Sequence, residues 1–178
     1  AAYSGRMPLY DAHCHLQDER LAPGLDAVLA RARAAGLAGF CCCGSSESDW
    51  DDVARLTAAQ PDILPAFGIH PWYARERSAD ALARLRELLL RFPQAPVGEI
   101  GLDHAIDRLD EADQTRLFEE QFALARDLGR PACVHCRRAW EPLLAVLAQV
   151  GAPPAGFLIH SYSGAAELVP RLADHGAW

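Results

Sequence analysis

Six times along this 178-residue chain a short apolar run gives way to a segment with apolar residues at helical spacing. The runs are "LYDAHCH" (9–15), "GLAGFCCCG" (36–44), "ILPAFGIHP" (63–71), "APVGEIGLD" (95–103), "RPACVHCR" (130–137) and "GFLIHSYSG" (156–164). After them the periodicity predicts a helix near 23–35 and one from Ser48 carrying Trp50, Val53 and Leu56. A third carries Leu82, Leu85, Leu89 and Phe92. Others span 111–128 and 140–150, and a short one ends near His175. Gly36, Gly129, Gly151 and Gly176 stand where those helices should stop. Strands alternating with helices imply right-handed βαβ units and a parallel sheet. No linker or low-complexity segment divides the chain, so residues 1–178 read as one α/β domain.

Nearly every predicted strand ends in a histidine or a carboxylate: His13 and His15, then His70, then Glu99 and Asp103, then His135, then His160. Ligands and catalytic groups of parallel α/β folds gather at the carboxyl ends of the strands. His13 and His15 are two apart and share a face, while Cys14 between them points away. Five candidate ligands from four strands, His13, His15, Glu99, His135 and His160, can converge on one mouth. Glu99 sits in an apolar run, where a buried charge must be paired or bound to an ion. There is no lysine in the chain, so its 17 basic residues are all arginine and a carbamylated-lysine bridge between metals is excluded. Glu99 is then the natural bridge, because a carboxylate has two oxygens. Two metals about 3.5–4 Å apart would activate water and clamp a phosphodiester.

The net charge of −7 supplies no overall basic field to draw the chain to nucleic acid or membrane. No stretch reaches the ~18 apolar residues of a membrane span, and "AAYSGRMPLY" lacks a signal-peptide core. The six cysteines read as small buried hydrophobes in a reducing cytoplasm.

Several motifs resemble the TatD family of metal-dependent hydrolases and deoxyribonucleases. They are Asp11-Ala-His13-Cys-His15, Gly68–Pro71 ("GIHP"), Gly98–Asp103 ("GEIGLD"), "QTRLFEEQFALARDLGRPACVHCR" and "IHSYSG". The match runs in order from residue 9 to about 176. It implies a TIM-like (β/α) barrel with about six of eight βα units in this chain. It also implies two divalent ions (Mg, Mn, Zn or Ni) and hydrolysis of DNA or oligonucleotide phosphodiesters. On the resemblance, His13 and His15 bind one metal, Glu99 bridges, and His135 and His160 bind the other. Family members run to roughly 250–270 residues, the usual size of such barrels, and end with two further strands. The last of these bears a metal-binding aspartate in an E-T-D motif that does not occur here. The expectation is therefore a C-terminally truncated barrel with two open edges that invite self-association.

Three further residues keep two readings each. Asp103 either orders a ligand histidine or a metal water, or caps a strand-end turn. His70 either contacts a substrate phosphate or is a structural histidine before Pro71. Arg137, two after His135, either clamps phosphate or forms a salt bridge. The leading expectation is a two-metal nuclease with Glu99, Asp103, His70 and Arg137 as its catalytic set. The alternatives are a small-molecule ester or amide hydrolase on the same site, and an inactive metal-binding fragment.

Overall fold

A computed structural model describes residues 7–107 and 109–178. Its strands are β1 (Leu9–Cys14), β2 (Leu37–Cys43), β3 (Ile63–Ala66), β4 (Val97–Asp103), β5 (Ala132–Arg137) and β6 (Phe157–Ile159). The helices that follow them are α1 (Leu25–Ala34), α2 (Trp50–Ala59), α3 (Ala81–Arg91), α4 (Glu111–Asp127), α5 (Trp140–Val150) and α6 (Val169–Asp174). All pairings are parallel, in the order β1-β2-β3 and β4-β5-β6. Phe67 joins the two halves. It pairs with Val97, its N–H donates to Pro96 O at 3.2 Å, and its carbonyl accepts from Gly98 N–H at 2.9 Å. Six strands thus run side by side in chain order with helices on one face, as consecutive units of a TIM-like barrel. Past α6 the backbone returns to the sheet: Ala177 pairs with Phe157, and Trp178 N–H donates to Phe157 O at 3.0 Å.

The helices bury what their periodicity predicts. α3 turns Ala81, Leu85, Leu88 and Leu89 inward, α4 Leu117, Phe118, Phe122 and Ala125, and α5 Leu143, Leu144, Val146 and Leu147. These side chains fill the space between helices and sheet. A smaller cluster of Cys43, Ala66 and Cys133, edged by Cys41 and Leu158, stands apart from that core. Among the described residues no helix is long and apolar enough to cross a membrane.

Two strands end sooner than their sequence suggests. β3 stops at Ala66 instead of running through Pro71: beyond the single Phe67 bridge to Val97, the backbone groups find partners outside the sheet. His70 N–H donates to Ser45 O at 2.8 Å. Ile69 is held by the buried Gln121 of α4, whose Oε1 accepts Ile69 N–H at 2.7 Å and whose Nε2 donates to Ile69 O at 3.1 Å. β6 ends at Ile159, and Ser161 takes a left-handed conformation, φ 50°. Gln114 serves the end of β4 as Gln121 serves Ile69. Its Oε1 accepts Asp103 N–H at 2.8 Å and its Nε2 donates to Asp103 O at 3.1 Å. Each glutamine stands in for a missing strand neighbour, satisfying backbone groups that are costly to bury alone.

Gly101 explains one fixed feature of the β4 motif. Its φ is +138°, and a Cβ there would collide with the His135 carbonyl, so β4 and β5 approach closely only with glycine at this position.

Gln121→Leu keeps the volume but leaves the Ile69 amide and carbonyl unpaired. It is expected to lower unfolding stability by about 2–4 kcal/mol, read as a shift of the urea midpoint with unchanged slope. Gln149→Leu, on the exposed side of α5, serves as the near-neutral control.

Candidate metal centre and cleft

The carboxylate of Glu99, only 3% exposed, is the point on which four strand ends converge. Its Oε2 lies 3.3 Å from His13 Nε2 and 3.2 Å from His15 Nε2. Its Oε1 lies 2.6 Å from His160 Nε2, 3.2 Å from His135 Nδ1 and 3.6 Å from His70 Nε2. The two oxygens therefore address two separate sets of imidazoles. His13 and His15 reach one oxygen together because they are alternate residues of one strand end. The His13 and His160 rings stack in parallel, centroids 3.8 Å apart.

The outer nitrogens of these rings decide what the inner ones offer. His15 Nδ1 is 2.8 Å from the Cys43 carbonyl, which can only accept, so Nδ1 carries the proton and Nε2 presents a lone pair inward. His135 Nε2 is 3.1 Å from Asp103 Oδ2, again an acceptor, so its inner Nδ1 is the lone-pair nitrogen. His13 Nδ1 lies 3.0 Å from Cys133 Sγ, and its Nε2 is 3.1 Å from His15 Nε2. Lone pairs facing a carboxylate and one another repel unless a cation or proton lies between them. Imidazoles tethered by their outer N–H around a carboxylate form a donor set that fits divalent transition metals. The groups His13–His15–Glu99 and His70–Glu99–His135 each place their ligand atoms within 4.8 Å of one another.

Protonation of His13 and His15 meets the same need. Burial works against charge on both partners, yet the His13, His135, His15 and His160 contacts hold Glu99 well below the usual carboxylate range. Burial likewise opposes protonation of His13, but contacts with Cys133 and Glu99 outweigh it and push the imidazole up to about 10. His15 is also raised, chiefly by its Glu99 contact.

His70 behaves differently. Burial, only partly offset by the Glu99 charge, brings it down to about 3, so it is neutral in any physiological medium. Its Nδ1 accepts the Trp72 backbone N–H at 3.2 Å, which leaves the ring proton on Nε2. His70 therefore offers a hydrogen-bond donor to the site, not a ligand lone pair.

Asp103 is fully buried, with Oδ2 accepting from His135 Nε2–H and, at 2.8 Å, from the Trp72 indole N–H. Its Oδ1 accepts Ala105 N–H at 2.9 Å. Both readings of Asp103 are thus present in one side chain: it orients a histidine and caps the turn after β4. Arg137 is exposed at the end of β5 and does not line the cleft over Glu99. That cleft, about 990 Å³, is lined by His15, His70, His135, His160 and Glu99 at its floor. Its wall carries Asp18, Glu19, Asp49 and Asp52 against the single cation Arg20, which is paired with Asp18. Trp72, 46% exposed, also lines it. Sequence reasoning passed over Trp72, although its place two residues after His70 was a usable signal. It also passed over the acidic wall, which joins the β1–α1 connection to the start of α2.

The sequence and fold resemble those of known proteins. The chain is 31% identical over 169 residues to a 3′-5′ ssDNA/RNA exonuclease TatD of Pantoea ananatis, covering 94% of this chain and 65% of that protein. It is 29% identical over 160 residues to an uncharacterized metal-dependent hydrolase, YabD, of Bacillus subtilis, covering 90% and 63% respectively. The chain thus spans just under two thirds of the length of these relatives. Among solved structures, a TatD homologue of Escherichia coli K12, YJJV, superposes with a TM-score of 0.89 at 29% identity, over 95% of this chain and 66% of that one. A TatD-family hydrolase of Entamoeba histolytica gives 0.86 at 20% identity, over 98% and 64%, a likeness of fold. Residues 10–178 match the family model described as TatD related DNase, and with that match over nearly its whole length the chain belongs to the TatD family.

Proposed function

We propose that this chain carries the metal centre of a hydrolase that cleaves phosphodiester bonds at the ends of single-stranded nucleic acid. The observation that carries the reading is the division of Glu99. One oxygen faces His13 and His15, and the other faces His135 and His160. A carboxylate so placed suits two divalent ions, with Glu99 bridging. The names of the relatives, an ssDNA/RNA exonuclease and a metal-dependent hydrolase, support the substrate class.

Bound divalent ions supply Lewis acidity at the scissile phosphate and a more acidic water. The protein's own groups do the rest. The Cys43 carbonyl and Asp103 fix the tautomers of His15 and His135. His70 keeps a neutral Nε2–H aimed at the site, suited to donating to a phosphoryl or leaving-group oxygen. Trp72 offers a flat face on which a terminal base can stack. Arg137, exposed at the strand end, suits a phosphate further along a strand. The free cysteines agree with a reducing, cytoplasmic setting.

One observation favours a second reading. The acidic wall of Asp18, Glu19, Asp49 and Asp52 repels a long polyanion, which suits a small ester or amide substrate. The discriminating experiment offers 5′-labelled single-stranded DNA and RNA, beside a panel of carboxyl esters and lactones, to the manganese-loaded chain. The expected result is shortening of the oligonucleotides from the 3′ end, stopped by EDTA. Turnover of esters with intact oligonucleotides establishes the second reading. A folded, metal-loaded chain that turns over neither is a metal-binding protein without this activity.

Glu99→Gln keeps the shape of the bridge and removes its charge. Metal occupancy by elemental analysis is expected to fall, and the nuclease rate to fall by several orders of magnitude. Asp103→Asn frees the His135 tautomer and should weaken metal binding ~10–100-fold, as loss of a group that orients a ligand does. Titration calorimetry of the metal checks it.

Among the described residues, β1 presents an outer edge with Leu9 55% and Tyr10 68% exposed. An edge of that kind favours pairing with a second copy. Light scattering is expected to give a mass above that of one chain, reduced by Tyr10→Lys.

A further inference from the structure

Beneath the metal centre, on the far side of the His13 ring from Glu99, lies a second cluster of donors that the proposed hydrolysis does not use. Cys133 Sγ is 3.0 Å from His13 Nδ1, and Cys43 Sγ is 3.4 Å from the same nitrogen. These three atoms lie within 4.8 Å of one another. Cys41 Sγ stands 4.0 Å from Cys43 Sγ. Cys43 is 0% and Cys133 3% exposed, on facing strands β2 and β5. With Ala66 and Leu158 they form the small cluster set apart from the main core.

Packing alone does not require this convergence. Two thiols aim at one ring nitrogen, which has a single proton or a single lone pair to share. A tetrahedral zinc ion with bonds of about 2.3 Å to sulfur and 2.0–2.1 Å to nitrogen spaces its ligands ~3.5–3.8 Å apart. The 3.4 Å and 4.0 Å separations lie close to those edges, and the 3.0 Å one needs a shift of about half an ångström. Charge also balances: two thiolates and a neutral imidazole neutralise a divalent ion, as a buried site demands. Cysteine sulfur selects thiophilic cations over the hard ones that carboxylate and water prefer.

We propose that Cys43, Cys133 and His13 Nδ1 form a second, thiolate-rich site for a thiophilic cation, zinc in the first instance, with Cys41 beside the fourth position as a neutral thiol. Binding releases two protons from the Cys43–Cys133–His13 group to solvent, so that Nδ1 is free to bind the ion. It leaves the single proton of neutral His13 on Nε2, facing Glu99 Oε2 at 3.3 Å. The half-buried Cys41 and Leu158 mark the side from which an ion enters. Because the donors lie behind His13, occupancy does not require an ion on Glu99; with its proton on Nε2, His13 then serves this site in place of the His15–Glu99 one, and the two readings are tested separately.

The test uses the whole chain, reduced and freed of metal, titrated with Co²⁺. The expected result is an intense near-ultraviolet sulfur-to-cobalt charge-transfer band that saturates at one equivalent and is bleached by zinc. Cys43→Ser and Cys133→Ser should each abolish the band, and Glu99→Gln should retain it. If either cysteine variant fails to fold, X-ray absorption of the wild-type chain with one equivalent of zinc decides. Sulfur scatterers at ~2.3 Å support the site, and a shell of nitrogen and oxygen alone overturns it. Absence of the band in folded, fully reduced protein, or its survival in both cysteine variants, overturns it as well. A Cys43–Cys133 disulfide that persists under reducing conditions does the same.

Discussion

A negative charge buried at the centre of a sheet has to be compensated, and in this chain Glu99 has no lysine to do it. That constraint organises the site. Imidazoles are the groups available, and each contributes through a nitrogen whose character is set on the far side of the ring. The Cys43 carbonyl acts through His15, Asp103 through His135 and Cys133 through His13. The centre is therefore a set of tethered ligands in which the outer acceptors matter as much as the inner lone pairs.

The tethers depend in turn on backbone placement. Asp103 is held where Gln114 takes both of its main-chain groups, and Ile69, next to His70, is held likewise by Gln121. Both glutamines sit on one face of α4, a full turn and three residues apart, between apolar neighbours that pack on the sheet. One helix thus positions the ends of two strands, and through them a hydrogen-bond donor and the partner of a ligand. Gly101 permits the third element, the close approach of β4 to β5 that brings Glu99 and His135 into one site.

Much of this was legible in the sequence, for reasons that differ by residue. The βα alternation was clear because apolar runs alternate with segments of helical periodicity, most plainly in the fully buried β4 and the apolar faces of α3, α4 and α5. The gathering of His13, His15, Glu99, His135 and His160 followed from strand polarity, since strands of one direction end at one mouth. The placement of Arg137 did not follow. Alternation along β5 puts it on the His135 side, but a long side chain at a strand end is free to leave for solvent, and there it is exposed. The work of Gln114 and Gln121 was not visible, because their partners lie in strand ends far away in sequence. The cysteines read as small hydrophobes one at a time. Only the pairing of β2 across the site from β5 shows that three of them share a place.

The electrostatics of the cleft then separate two questions that composition merges. A net charge of −7 argues against attraction of nucleic acid, and the wall of Asp18, Glu19, Asp49 and Asp52 carries that argument to the site itself. At the floor the sign depends on occupancy, because bound divalent ions are the largest local charges in such a site. With divalent ions held there by the histidines and Glu99, an anionic group past the wall would face positive charge and a neutral His70 donor in a confined space, where interactions are stronger than in water. A long strand, by contrast, keeps most of its phosphates beside the wall. Repulsion grows with strand length while attraction stays fixed at the floor. On the proposed function, this geometry favours the end of a strand or a short anion.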